Sequence, residues 1–220
     1  MPSMQFFEPL PALYAAPGSG AEVYDRHARV YSRKHDRFLR IAGGATQSAV
    51  EGMLSVILRP GLKLLDAGCG TGRLGRYLQT MESGIDLTLL DAAPNMLSQI
   101  ADPKARTIEG SLTDLPFVDG TFDAVACTWV LETLARPQAG LAELMRVLKP
   151  GGTLCMAICI EAEQPVDLVT RLFMRRVRTK WDGRQLPLAG LEASLRAAGG
   201  TDIRVRRDRV TAAIFARKAN

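Results

Sequence analysis

Five apolar runs alternating with helical stretches, a glycine-rich passage from strand to helix, and a closing pair of alternating strands predict an α/β protein. The expected fold is a seven-stranded, mostly parallel sheet with helices on both faces. The apolar runs fall at 62–67, 85–91, 105–109, 122–128 and 153–160, with helices near 72–81, 94–101 and 137–148 between them. Strands joined through helices pair in parallel, and each crossover lays its helix on one face of the sheet. Pro150-Gly151-Gly152 marks a turn ahead of the fifth strand. Residues 202–208 and 211–217 alternate well enough to form a hairpin.

The remaining segments complete a single domain spanning residues 1–220, a length sufficient for one full hydrophobic core. Residues 1–58 hold an N-terminal arm and two helices, the arm (1–20) rich in Pro, Gly and Ala, the helices running roughly from Ala21 to Phe38 and from Thr46 to Leu58. A basic amphipathic insert spans 161–185, and a helix near 187–198 ends at Gly199-Gly200. The 47% hydrophobic content fits a globular chain, and no apolar run reaches the roughly 18 residues of a membrane-spanning helix. Met1-Pro-Ser-Met-Gln-Phe-Phe-Glu lacks the basic start of a signal peptide. Cys69, Cys127, Cys155 and Cys159 fall in predicted strands or the glycine loop, none in a C-x-x-C, and there are two histidines. Reduced thiols, a cytoplasmic location and no metal site are therefore expected.

The chemistry concentrates in Leu64-Leu65-Asp66-Ala67-Gly68-Cys69-Gly70-Thr71-Gly72-Arg73-Leu74-Gly75. An apolar strand runs into an acid, then glycines at alternate positions, then the start of a helix. Glycines there let the backbone turn sharply and approach a ligand. Asp66 falls near the strand's end, where its carboxylate can meet a cationic amino group. Gly70 to Gly75 is a literal G-x-G-x-x-G, which by itself suggests a dinucleotide site. An acid aimed at the ligand disfavours a pyrophosphate, which needs the helix N-terminus. Asp91, at the end of the next apolar run, stands about where a ribose-binding carboxylate is expected.

The order Asp-x-Gly-x-Gly-x-Gly resembles motif I of the class I S-adenosylmethionine (SAM)-dependent methyltransferases, in pattern those of ubiquinone/menaquinone biosynthesis and the phospholipid N-methyltransferases. Asp91-Ala-Ala-Pro-Asn-Met96-Leu, Leu115-Pro116-Phe117, Gly120-Thr-Phe122-Asp123 and Arg146-Val-Leu-Lys-Pro150-Gly-Gly152 resemble further segments of that family, over about residues 21–160. The resemblance implies a Rossmann-like fold that binds SAM and releases S-adenosylhomocysteine. It places Asp66, Gly68, Cys69, Gly70, Asp91, Ala92, Met96, Ser111, Leu112 and Thr128 at the cofactor. Asp66 would lie near the methionyl amino group, Ala92 and Met96 beside adenine, and Leu112 on the adenine face. Thr128 would offer its carbonyl to the methionyl group. Ser111 stands where relatives usually carry an Asp that accepts a bond from the adenine amino group; an uncharged acceptor is the weaker one.

Tyr24, His27, Tyr31, His35 and Phe38 fall on one helical stripe. Tyr24-Asp25-Arg-His-Ala28-Arg-Val-Tyr31 also resembles the family's segment that closes over the cofactor, so residues 21–38 are expected to form a lid. Tyr24 and Tyr31 would close the site, with partly exposed packing as the alternative for the stripe. Should an oxygen acceptor need a base, His27, His35 and Glu132 are candidates. Glu132 stands where many relatives carry His or Asn; it either pairs with an amine acceptor or is a solvated carboxylate at a helix start. Trp129 lies at the site's mouth or in the core.

The segment from Val166 to Trp181 holds a net charge of +4, nearly all of the chain's +5. Val166, Val169, Phe173, Val177 and Trp181 form its apolar stripe, flanked by Arg171, Arg175 and Arg178. Such a helix binds a membrane surface or an anionic ligand, or else caps the domain with its arginines in water. Without an aromatic RNA-binding motif, nucleic acid is not the expected partner. The leading expectation is methyl transfer to a small or lipid-like acceptor, a phospholipid amine or quinone ring first. Next come a polar metabolite or natural product, a non-catalytic SAM-binding partner subunit, and a dehydrogenase.

Overall fold

The structure, a computed structural model, describes residues 20–102, 105–181 and 184–220. The expected N-terminal arm lies, but for Gly20, outside the described residues. Helix α1 (Gly20–Phe38) passes through a π-helical turn (Leu39–Gly43) directly into α2 (Gly44–Ile57). The break expected between these helices is a widened turn instead, a local form found mostly at functional sites. There follow β1 (Lys63–Ala67), α3 (Arg73–Met81), β2 (Asp86–Asp91), α4 (Pro94–Leu97), β3 (Arg106–Glu109), β4 (Phe122–Thr128) and α5 (Pro137–Val147). Then come β5 (Leu148–Cys159), α6 (Leu168–Trp181), α7 (Leu188–Ala197), β6 (Gly200–Asp208) and β7 (Thr211–Lys218).

The seven strands expected from the sequence form one sheet, in the order β3-β2-β1-β4-β5-β7-β6. β1 to β5 run parallel, and β7 is antiparallel to both β5 and β6. Alternation along each strand divides the core. Leu65, Val125, Met156 and Ile214 face α5 and α7, while Leu64, Ala124, Cys155 and Ala213 face α2, α3 and α6. β1 has β2 on one side and β4 on the other, so the chain leaves its central strands in opposite directions. Ligands of open α/β sheets collect at the carboxyl ends of strands at such a point.

Two boundaries differ from expectation. The helix expected over 94–101 is one turn, because the chain after Leu97 closes in tight turns onto Met96 and Leu97 carbonyls. Strand β5 begins at Leu148, and Pro150-Gly151-Gly152 lies inside it, where the register against β4 shifts between Phe122 and Ala124. Among the described residues no helix is long and apolar enough to cross a membrane.

Candidate active site

The turn after β1 is held by backbone donors. Gly68 and Cys69 N–H groups donate to the Leu90 carbonyl at 2.7 and 2.9 Å. Asp91, ending β2, accepts from Gly70 N–H on one oxygen (2.7 Å) and from Ala93 N–H on the other (2.9 Å). One carboxylate thus fixes both loops at the sheet's carboxyl edge. Gly68 has φ +78°, and a Cβ there would lie 2.3 Å from Val130 Cγ2, so the packed chain itself excludes a side chain. Gly70 has φ +54°, and its Cβ would face Tyr31 of α1 at 3.5 Å.

Asp66 is fully buried, and neither of its oxygens has a hydrogen-bond partner. Burial first, then the charge of Asp91, raises its pKa to about 7 against a smaller lowering by the Gly75 N–H, which lies nearby without reaching hydrogen-bond geometry. A buried polar group without a partner is rare and invites a ligand that supplies one.

Helix α1 lies over this edge. Asn95 donates from its N–H and its Nδ2 to the two oxygens of Asp25, at 2.7 and 2.8 Å, and Ser32 Oγ lies 3.2 Å from Thr71 Oγ1. Each bond ties α1 to one of the two loops. Tyr24 and Tyr31 meet edge to face, ring centres 5.9 Å apart, and pack with Ala28 on Ala93 and Met96.

Two adjoining cavities open beneath α1. The smaller, about 30 Å³, lies between α1 and the glycine turn, with Gly68, Cys69, Thr71 and Thr128 in its lining. The larger, about 190 Å³, is walled by Tyr24, Tyr31, Phe38, Trp129 and Phe173, with Glu132, Cys159 and Met174, and is bordered by exposed Lys34, Arg37 and Arg176. Tyr31, His35 and Trp129 line both. Trp129 stands at φ +64°, a left-handed conformation that strains a bulky residue by about 1–3 kcal/mol. Its Nε1 donates to Gln47 Oε1 at 2.7 Å and its ring meets Phe38 edge-on at 4.8 Å, which hold it there.

Glu132 is not a solvated carboxylate: it is 3% exposed. One of its oxygens accepts from Cys159 N–H at 3.1 Å, and the other has no partner. Burial raises its pKa to about 7. Tyr31 is pushed far up, by burial and then by Asp91 and Glu132, so its phenol stays protonated. His35, 3.3 Å from the Tyr31 hydroxyl, is lowered to about 4 by burial and then by Arg73, and is neutral at pH 7. His27 is not brought to either cavity; its Nδ1 donates to the Val23 carbonyl of its own helix at 2.8 Å.

The outer cofactor positions are more dispersed. Met96 is buried beneath α1, and Ala92 is exposed. Ser111 is exposed, its Oγ accepting from Thr113 N–H at 3.2 Å, while the Leu112 side chain belongs to the α5-side core. On α6, Phe173, Met174 and Val177 face inward with Val166, as the stripe predicts. Val169 does not: it stands 69% exposed beside Leu168 and Leu172, and the Trp181 side chain lies outside the described residues. Gln47, Cys159 and Met174 were not singled out from sequence. No local signal marks Gln47, since α2 also carries Thr46, Ser48, Glu51 and Ser55; the other two read as ordinary core residues.

Residues 65–156 match a family model described as a methyltransferase domain. The chain is similar to demethylmenaquinone methyltransferase of Clavibacter sepedonicus, 33% identical over 165 residues, covering 71% of this chain and 62% of that protein. It is similar also to malonyl-[acyl-carrier protein] O-methyltransferase of Pectobacterium atrosepticum, 28% identical over 185 residues, covering 83% of this chain and 66% of that protein. The chain thus spans just under two thirds of the length of these two relatives. It shares its fold with Haemonchus contortus phosphoethanolamine N-methyltransferase 2 in complex with S-adenosyl-L-methionine, at TM-score 0.74 and 14% identity, covering 92% of this chain and 60% of that one.

Proposed function

We propose that the chain is a class I SAM-dependent methyltransferase, a reading supported by the match of residues 65–156 to a methyltransferase domain, and that it methylates a small or lipid-like acceptor in the cavity beneath α1. The observation that carries this reading is the wall of Tyr31, His35 and Trp129, common to the cavity at the glycine turn and to the larger aromatic one. A donor on one side of that wall and an acceptor on the other stand next to each other. Asp66's buried, unpartnered oxygens suit an ammonium group, and Gly70, bare toward Tyr31, leaves a cradle. Asp66, Gly68, Cys69, Gly70, Asp91, Ala92, Met96, Ser111, Leu112 and Thr128 are the residues assigned to SAM. When bound, SAM supplies an electrophilic methyl group.

The chain's own part is positioning. Tyr24 and Tyr31 close the site and exclude water, and Trp129, pinned by Gln47, sets the wall against which the acceptor rests. Holding two reactants in line replaces most of the entropic barrier of a bimolecular encounter. The apolar aromatic walls favour a quinone ring or a lipid-borne amine over a polar metabolite. The outer face of α6 supports the same choice. Leu168, Val169 and Leu172 are 57%, 69% and 48% exposed among arginines, a surface complementary to an anionic membrane.

Incubation with methyl-labelled SAM and cell extract tests the reading: label in the organic phase is expected, and label in aqueous metabolites would favour the polar acceptor. Label on protein or RNA, or none, would overturn the acceptor class. Sedimentation with anionic but not neutral vesicles, weakened by Leu168→Ser with Leu172→Ser, tests the membrane contact.

A further inference from the structure

Glu132 is the one acid bordering the acceptor cavity among its described lining residues. It is carried on the 3₁₀ turn Leu131–Thr133 that follows β4. Its neighbours explain where it sits but not why it is an acid. Cys159 N–H needs one acceptor oxygen, which a glutamine would supply as well. The second oxygen is buried without a hydrogen-bond partner, and the Cys159 thiol beside the carboxylate is a weak donor that does little to offset this. Leaving a buried carboxylate oxygen unpaired is costly, and an apolar residue of similar size would avoid the penalty. A ligand that donates a hydrogen bond or a proton removes it.

The surroundings select the donor. Tyr24, Tyr31, Phe38, Trp129 and Phe173 present aromatic rings to the cavity, and such faces attract cations. Around Tyr31 the charges of Asp91, Glu132 and Asp66 act against that of Arg73, so acids outnumber bases at this side chain, while Lys34, Arg37 and Arg176 border the cavity farther out. Resting on the methyltransferase reading above, we propose that the methyl acceptor is an amine with an apolar, ring-sized body, held at Glu132 and giving its proton to that carboxylate.

The ammonium proton passes to the free oxygen of Glu132, leaving a neutral amine and a neutral carboxylic acid. Low polarity favours this pair over the ion pair, because burial disfavours both charged forms. The amine lone pair then forms a bond to the methyl carbon as the methyl–sulfur bond breaks, its electrons remaining on sulfur. The product is the methylated ammonium ion, and Glu132 returns its proton to solvent. A ring-carbon acceptor presents no such proton before transfer, so the two acceptor classes differ in their need for Glu132.

The test uses the intact protein saturated with S-adenosylhomocysteine, titrated with 2-phenylethylamine and with its uncharged counterpart 2-phenylethanol, read by tryptophan fluorescence from the Trp129 wall. The amine is expected to bind roughly tenfold or more tightly than the alcohol, because the ammonium ion brings a proton that the Glu132 carboxylate takes up and the alcohol brings none. Glu132→Gln, which keeps an oxygen for Cys159 N–H, is expected to abolish that preference while S-adenosylhomocysteine binds as before. Equal binding of amine and alcohol, no binding of the amine, or an unchanged preference in Glu132→Gln would each overturn the inference. Failure of the wild-type protein to bind S-adenosylhomocysteine by calorimetry would instead overturn the methyltransferase reading, and this inference with it.

Discussion

The two cavities beneath α1 are built by different means. The inner one is framed by the glycine turn, whose Gly68, Cys69 and Gly70 N–H groups are fixed by the Leu90 carbonyl and the Asp91 carboxylate, and is completed by residues of α1 with Gln47, Thr128 and Trp129. The outer one is made of side chains from four separate places, namely α1, the turn after β4, the end of β5 and α6. A site of backbone groups tolerates few residues at few positions and constrains sequence tightly. A site of side chains can change its chemistry while the fold stays put, as Glu132 illustrates. The comparison teaches that cofactor and acceptor preferences of this chain should respond to mutation separately.

The largest expected effect is on the inner site. Gly68→Val forces a side chain into Val130 at a left-handed backbone position and should destabilise the protein by about 3 kcal/mol or more, seen as a lower urea midpoint. Next comes Asp66→Asn, expected to weaken S-adenosylhomocysteine binding roughly ten- to a hundredfold by calorimetry while leaving the apoprotein at pH 8 no less stable. Loss of stability with binding intact would show that Asp66 serves the fold rather than the ligand.

pH tests both sites at once. Asp66 and Glu132 ionise near their ordinary 3.8 and 4.5 in the unfolded chain, but near 7 when folded. Between about pH 4 and 7 the folded state therefore binds more protons than the unfolded, and stability should fall as pH rises through that window. Urea titrations at pH 5 and pH 8 would measure it. Asp66→Asn and Glu132→Gln should each flatten the slope, and S-adenosylhomocysteine should flatten the Asp66 part alone. The smallest effect concerns the rim: Ser111→Asp should tighten cofactor binding by a few-fold, since a charged acceptor forms a stronger hydrogen bond. No change would place residue 111 outside the adenine's reach.

Legibility in the sequence follows the same division. Seven strands with helices on both faces, the glycine turn and the acid ending β2 are legible from period, spacing and a motif, because each is a local or backbone requirement. So are Tyr24 and Tyr31, whose helical phase was right. His27 shares that phase closely enough to pass in sequence, yet it turns toward Val23, because a stripe running from Tyr24 to Phe38 is wider than the cavity it meets. Glu132 was seen as a candidate, but its burial depends on β5 and α6 closing around it, contacts no local pattern encodes. Val169 failed for a related reason: α6 buries the face containing Thr170 and Met174, set by what it packs on rather than by its own apolar content. Gln47 acquires meaning solely through Trp129, 82 residues away.

Helix α1 is a roof shared by two rooms, fastened through Asp25 and Ser32 to the loops of the inner one. Tyr24, Tyr31, His35 and Phe38 all come from it, so lifting the roof would take away one of the outer room's four walls. On the methyltransferase reading proposed above, a ligand of the inner room would enter before the roof closes, which predicts an order of traffic: donor first, acceptor second, methylated product out ahead of S-adenosylhomocysteine. In steady-state terms, S-adenosylhomocysteine should compete with SAM but not with the acceptor, and its departure, timed by the unfastening of α1, should set the pace of turnover.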